Sequence, residues 1–303
     1  MNYRIGVDIG GTSAKLAVVD SDFNVLDKHG FPTGKDCTPE DIINGIIANS
    51  RTLMAKYKVD AVGIGSPGTV DPDKGIVVVA GNLPFRNEPV VEKVAKALGV
   101  PTFIENDGSC ALIGETAAGA SRGCHDAVII TIGTGIGGAI MINDRVVRGF
   151  KGGAGELGHF VIDRNGEDCP CGLKGCFEQY ASASALVRQT AGMARANPTS
   201  ILANCAMNGV NGKTVFDAVE KKCPVAKFVL EEYGRILSDG INSLVHIFQP
   251  EMFVISGGIA VQGENLLKYI RPNLIHNVAI ATSELGGNGG IIGAAILGTE
   301  YAR

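Results

Sequence analysis

The chain has 303 residues, of which 45% are hydrophobic and 19% charged; this is enough to bury the cores of two domains and excludes a disordered protein. Lys and Arg number 27 against 31 Asp and Glu, a formal net charge of −4, so no basic excess is left for binding nucleic acid. Neither a signal-peptide pattern nor an apolar run of membrane-spanning length occurs, and the scattered cysteines suit a reducing compartment. We therefore expect a cytoplasmic protein with no nucleic-acid or membrane partner.

The N-terminal part of the chain alternates predicted strands and helices. Residues 4–8 and 15–19 are predicted strands, separated by a short glycine-containing turn. Thr38 followed by Pro39 predicts a helix start, with Thr38 as the N-cap. The next predicted elements are a strand over 61–65, a helix near 89–98 and a strand over 101–104.

The opening pattern then recurs. A strand, a glycine-rich turn and a second strand occupy 127–142, about 123 residues after the first copy. A repeated supersecondary unit followed each time by α/β sequence predicts two related domains facing each other across a cleft. The remaining predicted elements are a long helix over 224–248 with Phe228 on its apolar side, a strand over 252–255, and a final helix opened by Gly289-Gly290.

The two glycine turns indicate phosphate binding. In Asp8-Ile-Gly-Gly-Thr12 the backbone N–H groups can line up against phosphate oxygens, and Asp8 is placed to hold a hydrated magnesium ion. Alone, this turn is as readily an ordinary hairpin. A second turn, Thr131 to Gly138, allows a triphosphate to be gripped from both sides, although neither turn is a Walker loop. Gly257-Gly258 and Gly289-Gly290 suit either an approaching adenosine or helix packing.

Asn106-Asp107 follows a predicted strand, where α/β proteins form ligand sites. A carboxylate beside an alcohol can take its proton while a phosphoryl group is transferred. The spacing alone favours the simpler interpretation, in which Asn-Asp-Gly is a turn sequence.

Three cysteines and a histidine lie within eighteen residues: His159, Cys169, Cys171 and Cys176. This set matches tetrahedral zinc, and four protein ligands leave no open position, so we expect a structural metal. A redox site is the alternative. Glu156, His159 and Glu178 bracket the cluster and can bind vicinal sugar hydroxyls, although the two glutamates also fit surface or helix N-terminal charges.

The chain resembles the ROK family of sugar kinases and repressors, within the actin/hexokinase superfamily. The resemblance covers essentially all 303 residues. It rests on the motifs Asp8-Ile-Gly-Gly-Thr12, Glu105-Asn-Asp107, Thr131-Ile-Gly-Thr-Gly-Ile-Gly-Gly138, Glu156-Leu-Gly-His159 and Cys169-Pro-Cys-Gly-Leu-Lys-Gly-Cys-Phe-Glu178. It implies a two-lobed α/β fold of the actin-like ATPase (ribonuclease H-like) type, with lobes over 1–112 plus 288–303 and over 113–287.

The resemblance also implies a role for each motif. Asp107 matches the catalytic base that takes the proton of a sugar 6-hydroxyl, and Asp8 fits Mg²⁺ through water. His159 would bind zinc through one ring nitrogen and sugar through the other. The sugar-binding positions are Ser66, Gly68, Asn82, Leu83, Asn106, Glu156, His159 and Glu178, and the ATP-binding positions are Gly10, Gly11, Thr12, Thr134, Gly135, Gly257 and Gly258.

The implied activity is ATP-dependent phosphorylation of a hexose, with glucose preferred. N-acetylmannosamine is the main alternative substrate; N-acetylglucosamine, allose and β-glucosides are others, and polyphosphate is an alternative donor. The family's repressors carry a helix-turn-helix of several dozen residues before the first turn, whereas Asp8 lies seven residues from the start. A sugar-responsive regulator is therefore a distant alternative, and a homodimer is the expected assembly.

Overall fold

The computed structural model describes residues 3–299. The chain divides into two compact units. The first comprises residues 3–127, 139–155 and 284–299, and the second comprises 128–138 and 156–283. Among the described residues, none of the helices combines the length and apolar composition that a bilayer span requires.

The first unit is built on a five-stranded mixed sheet with helices on both faces. Its strands run in the order β3-β2-β1-β4-β8, with β1 antiparallel to β2 and parallel to β4. A separate antiparallel sheet has the order β5-β6-β7. The elements in chain order are β1 (Tyr3–Ile9), β2 (Ser13–Val19), β3 (Val25–Pro32), α1 (Pro39–Met54), β4 (Val59–Ser66), β5 (Thr69–Asp71), β6 (Ile76–Val79), β7 (Arg86–Glu88), α2 (Val90–Leu98), β8 (Thr102–Asn106) and α3 (Asp107–Ala118).

A second five-stranded sheet repeats this arrangement, in the order β11-β10-β9-β12-β13, with β12 parallel to β13. In each sheet, the two strands that flank the glycine turn lie side by side. A third strand lies beyond the second of them, and two later strands lie beyond the first. The repeat seen in the sequence is confirmed. The elements are β9 (Ala127–Ile132), β10 (Ile136–Ile142), β11 (Arg145–Val146), α4 (Glu178–Ala181), α5 (Ala183–Ala196), α6 (Ile201–Ala206), α7 (Thr214–Glu220), α8 (Pro224–Phe248), β12 (Met252–Ser256), α9 (Glu264–Ile270), β13 (Ala279–Thr282) and α10 (Gly289–Ala295).

Several predicted boundaries are confirmed. Helix α1 begins with a capping box in which the side chains of Thr38 and Asp41 each bind the other's backbone N–H. Helix α8 has the predicted bounds. Phe228 was expected on its apolar side, but its side chain is 50% exposed, because the buried stripe runs through Ala226, Val229 and Leu230 instead.

The central strand β1 has two different faces. Since side chains alternate along a strand, Ile5, Val7 and Ile9 point into the core shared with α1, and Gly6 and Asp8 point to the opposite face. Helix α10 packs against that face so closely that a Cβ at Gly6 would lie 1.8 Å from the carbonyl oxygen of Ile291. The glycine therefore permits the helix to approach the strand that carries Asp8.

Candidate active site

In the first unit, Asp8 lies near the end of β1. A Cβ at Gly290 of α10 would lie 3.3 Å from the Asp8 carboxyl carbon, so the first turn of the helix rests on this carboxylate. Burial, followed by the negative charge of Asp107, raises the pKa of Asp8 to about 6, and Lys15 acts in the opposite direction. The Gly289-Gly290 pair, which the sequence left open, packs against α3 and Asp8.

The side chain of Asn106 fixes the point where β8 passes into α3. Its Oδ1 accepts a hydrogen bond from the Ser109 N–H at 3.1 Å, which makes it the N-cap of α3. Its Nδ2 donates to the carbonyl oxygen of Gly68 at 3.1 Å. The Asn-Asp-Gly sequence is therefore a strand-to-helix junction and not the isolated turn that its spacing favoured.

Asp107 is the first residue of α3, and its Oδ1 accepts a hydrogen bond from the Gly108 N–H at 2.9 Å. The residue is partly buried. Asp8 and Asp107 lie at the carboxyl ends of β1 and β8, which flank β4 in the sheet, and the negative charge of Asp107 contributes to the raised pKa of Asp8. A carboxylate can accept the proton of a hydroxyl group or bind a hydrated cation, and carboxylate oxygens are ligands that Mg²⁺ prefers.

The first glycine turn is held by backbone bonds. The Gly10 N–H donates to the Ser13 carbonyl at 3.0 Å, and Thr33 Oγ1 donates to the Gly10 carbonyl at 2.6 Å. Gly11 and Thr12 are exposed at the tip. A Cβ at Gly11 would lie 3.5 Å from the Cβ of Asn82, so the predicted sugar-side residue Asn82 lies beside the predicted phosphate turn.

The other predicted sugar-side residues of this unit differ in what they can offer. Ser66 is buried at the end of β4, and Leu83 packs in the core, so the leucine has only its backbone to present. Gly68 has φ of 88°, and a Cβ there would lie 2.2 Å from the Val79 carbonyl, so this position requires glycine.

In the second unit, the four predicted metal ligands lie together. The ligand atoms of His159, Cys169, Cys171 and Cys176 all lie within 4.8 Å of one another. His159 Nδ1 is 3.6 Å from Cys169 Sγ, and Cys171 Sγ is 3.5 Å from Cys176 Sγ. Four ligands arranged tetrahedrally around Zn²⁺ lie about 3.8 Å apart, so the spacing fits the metal.

The protein environment raises the pKa of two of these thiols. Burial, followed by hydrogen bonds with the other cysteines, raises the pKa of Cys176 to about 12, and burial also raises that of Cys169. A hydrogen bond from the Leu173 backbone lowers the pKa of the exposed Cys171. Zinc binds thiolates, so binding at neutral pH would release protons from this loop.

The loop that carries the cysteines is anchored in the second unit's core. Phe177 is fully buried, stacks on Phe160 with ring centroids 5.1 Å apart, and lies against Gly240 of α8. Gly175 has φ of 72° and passes so close to the Asp163 carbonyl that a Cβ would collide with it. Cys176 and Glu178 are therefore presented from a fixed backbone.

Glu178 links the cluster to the second glycine turn. Its Oε1 lies 3.4 Å from Cys169 Sγ and 3.7 Å from His159 Nδ1. Its Oε2 accepts a hydrogen bond from the Ile136 N–H at 3.3 Å, and a Cβ at Gly135 would lie 2.4 Å from this oxygen. A predicted sugar ligand and a predicted phosphate turn thus contact each other directly.

The remaining predicted residues of this unit differ in their surroundings. His159 Nε2 faces the exposed Glu156 at 3.8 Å, so Nδ1 is the ring nitrogen that faces the cysteines. Thr134 is exposed at the tip of the turn. Gly257 has φ of 90° and packs on the Ile132 carbonyl, whereas the space beside Gly258 is open.

Two buried glutamates of the first unit had no predicted role. Glu105 lies in the quoted Glu-Asn-Asp motif and is 3% exposed, and Glu115 on α3 is 1% exposed. The Glu115 carboxylate accepts hydrogen bonds from the N–H groups of Ala120, Glu284 and Leu285. It therefore joins the end of α3 to the segment that returns before α10. Buried carboxylates in helical or strand sequence carry no local signal of their partners.

Comparison with known proteins identifies relatives along the whole length of the chain. Residues 4–300 match the profile of the ROK family. Glucokinase from Streptomyces coelicolor is 36% identical over 99% of this chain and 98% of its own. The structure of a ROK family glucokinase from Streptomyces griseus, solved with glucose and AMPPNP, matches with a TM-score of 0.81 at 36% identity, over 97% of this chain and 98% of that one. A provisionally assigned N-acetylmannosamine kinase from Listeria monocytogenes matches with a TM-score of 0.79 at 26% identity, over 97% of each chain.

Proposed function

The chain belongs to the ROK family, and on that premise we propose that it transfers the γ-phosphoryl group of ATP to the 6-hydroxyl of a hexose, with glucose preferred. The observation that carries this proposal is the presence of two carboxylates, Asp107 and Asp8, at one edge of the first sheet, in a chain whose full length resembles glucokinases. One suits a proton acceptor and the other a hydrated cation, which are the two roles that phosphoryl transfer requires.

In the proposed reaction, Asp107 accepts the proton of the sugar 6-hydroxyl as the oxygen attacks the γ-phosphorus. Its position is set by the helix start that Asn106 caps, and Asn106, bonded to Gly68, is a proposed sugar ligand. Mg²⁺, when bound through water at Asp8, would neutralise phosphate charge. The N–H groups of the exposed turn at Gly11 and Thr12 hold phosphate oxygens.

The second unit carries the other residues that we assign to the substrates. We assign Glu156, His159 Nε2 and Glu178 to sugar hydroxyls, and His159 Nδ1 with the three cysteines to a structural Zn²⁺. The closed four-ligand set supports a structural metal, because a catalytic zinc keeps an open position. Zinc would then fix the orientation of the imidazole. The turn at Thr134 and Gly135, with Gly257 and Gly258, is assigned to ATP.

The setting of this reaction is also part of the proposal. We place the protein in the cytoplasm, where ATP is supplied and the thiols of the cluster stay reduced. The homodimer stays a prediction, as do the two lobes over 1–112 plus 288–303 and over 113–287.

A sugar panel tests the proposal. We expect ADP release, in a coupled assay with ATP and magnesium, to be at least about tenfold more efficient in kcat/KM for glucose than for mannose, fructose, allose or the N-acetylated hexosamines. Preference for N-acetylmannosamine would retain the mechanism and assign the chain to amino-sugar phosphorylation. Sugar binding without turnover of any of these sugars would contradict the kinase assignment.

A further inference from the structure

The carboxylate of Glu105 lies buried immediately before the Asn106-Asp107 junction and is held from two sides. Its Oε1 accepts a hydrogen bond from the Asn106 N–H at 2.9 Å, and its Oε2 accepts one from Arg148 Nε at 2.6 Å. We propose that Glu105 and Arg148 form a positioning pair, which sets the backbone from which Asp107 reaches the substrate hydroxyl. Neither residue has a role in the reaction as derived above.

The pair acts on the backbone, whereas the Asn106 side chain is held independently. The Asn106 amide group bonds the Ser109 N–H and the Gly68 carbonyl. The Asn106 N–H has Glu105 as its partner, so Glu105 orients the peptide unit next to Asp107. Loss of the pair should therefore disturb the base more than it disturbs a sugar contact made by Asn106.

Arg148 is itself fixed by the loop that it begins. Its carbonyl oxygen accepts a hydrogen bond from the Ala154 N–H at 3.1 Å, which closes the loop at its base. Within the loop, Gly152 has φ of 71° and packs so closely that a Cβ would lie 2.3 Å from the Val70 carbonyl. The backbone at Arg148 is thus constrained, and from it Nε reaches Glu105 Oε2 at 2.6 Å.

The charges support the same role. Glu105 is 3% exposed and lies at the same sheet edge as Asp107 and Asp8, so an unpaired Glu105 would add a buried negative charge at an edge that already holds two carboxylates. Arg148 compensates this charge while 38% of its own side chain stays in contact with solvent. Arginine suits the task because its planar group holds a fixed direction to a carboxylate.

The inference rests on the proposed function, and one set of assays separates the two. Arg148→Met should lower kcat about 30-fold, because a small displacement of a catalytic group is costly, while the Kd for glucose changes less than about threefold. Arg148→Lys, which keeps the charge, should recover to within about fivefold of the unmodified enzyme. Turnover is expressed per glucose-binding site, so that an unfolded fraction does not lower kcat.

The double variant Glu105→Gln with Arg148→Met should be more active than Arg148→Met alone, because it has no unpaired buried carboxylate. Arg271→Met is the matched control, since it removes an exposed Arg–Glu pair with Glu264 and should leave kcat unchanged. If Arg148→Met does not fold, kcat and the Kd for glucose are measured on Arg148→Lys and on the double variant, and these values test the positioning role instead.

An unmodified enzyme that phosphorylates no sugar would contradict the proposed function. An active enzyme whose Arg148→Met kcat stays within about twofold, or falls only as far as glucose binding falls, would overturn the positioning role alone.

Discussion

The Asp8 carboxylate, our proposed magnesium ligand, lowers the stability of the fold at neutral pH. In the magnesium-free protein, burial and the charge of Asp107 raise its pKa from 3.8 to about 6. Between these two values the unfolded chain has already released its proton and the folded protein retains it. Stability therefore falls as pH rises through this window, and above pH 6 the full unfavourable contribution is present.

Asp8→Asn should remove this contribution. We expect the variant to unfold at higher denaturant concentration than the unmodified protein at pH 8, by a free energy of roughly 1–3 kcal/mol, with the difference shrinking towards pH 4. Denaturant titrations in magnesium-free buffer across this pH range measure it. The same variant should lose magnesium-dependent activity. Equal stability of the two proteins at pH 8 would show that Asp8 carries no such penalty.

At the scale of elements, α10 and the cysteine loop (residues 159–178) depend on backbones that approach closely. A Cβ at Gly63 of β4 would lie 1.7 Å from the Ala294 carbonyl oxygen of α10, and one at Gly293 would lie equally close to the Cys110 carbonyl. Glycines in the sheet and in α10 therefore allow the helix to pack closely against both the sheet and α3. This contact holds Gly290 against Asp8.

Gly63→Ala should therefore destabilise the protein by about 3 kcal/mol or more, because backbone and not a movable side chain opposes the new methyl group. Gly192→Ala is the matched control: this residue lies inside α5 with open space at its Cβ position, and alanine there should stabilise by about 0.5–1 kcal/mol. Thermal unfolding compares the two. A Gly63→Ala protein as stable as the unmodified one would refute the close approach.

The cysteine loop, with its proposed zinc, gives a prediction of a different kind. Protein purified without chelator should contain about one zinc per chain by elemental analysis. Cys171→Ser should reduce that content, lower the melting temperature and weaken glucose binding, because His159 and Glu178 lose their support. Cys205→Ser, outside the cluster, is the control. Unchanged melting and kinetics in Cys171→Ser would contradict a structural metal.

For the whole molecule, the sequence predicted the repeated strand–turn–strand unit and the approximate bounds of fewer than half of the elements, because periodicity and glycine turns are local signals. In the strand sequence Ile5-Gly-Val-Asp8, side chains alternate between two faces, and Gly6 lies on the face against which α10 packs. Strands β3, β5 to β7, β11 and β13 and helices α3 to α7 and α9 were not predicted. Short strands give little alternation, and the run after Asp107 mixes glycine with small residues.

Only the residues that belong to local sequence motifs could be predicted as parts of the candidate site. The four metal-ligand positions lie together because their spacing in the chain is short. The Glu105–Arg148 pair joins residues 43 positions apart, and the Glu115 contact to Leu285 joins residues 170 apart. No single-sequence pattern reports such contacts. They follow from tertiary packing.

The central claim is that Asp107 is the general base of a hexose kinase. Its most direct measurement is the turnover and glucose affinity of Asp107→Asn, an isosteric change that removes only the proton acceptor. We predict that kcat falls about 10²–10⁴-fold while the Kd for glucose stays within about threefold. Turnover within about tenfold of the unmodified enzyme, or an equal loss of glucose binding, would contradict the account.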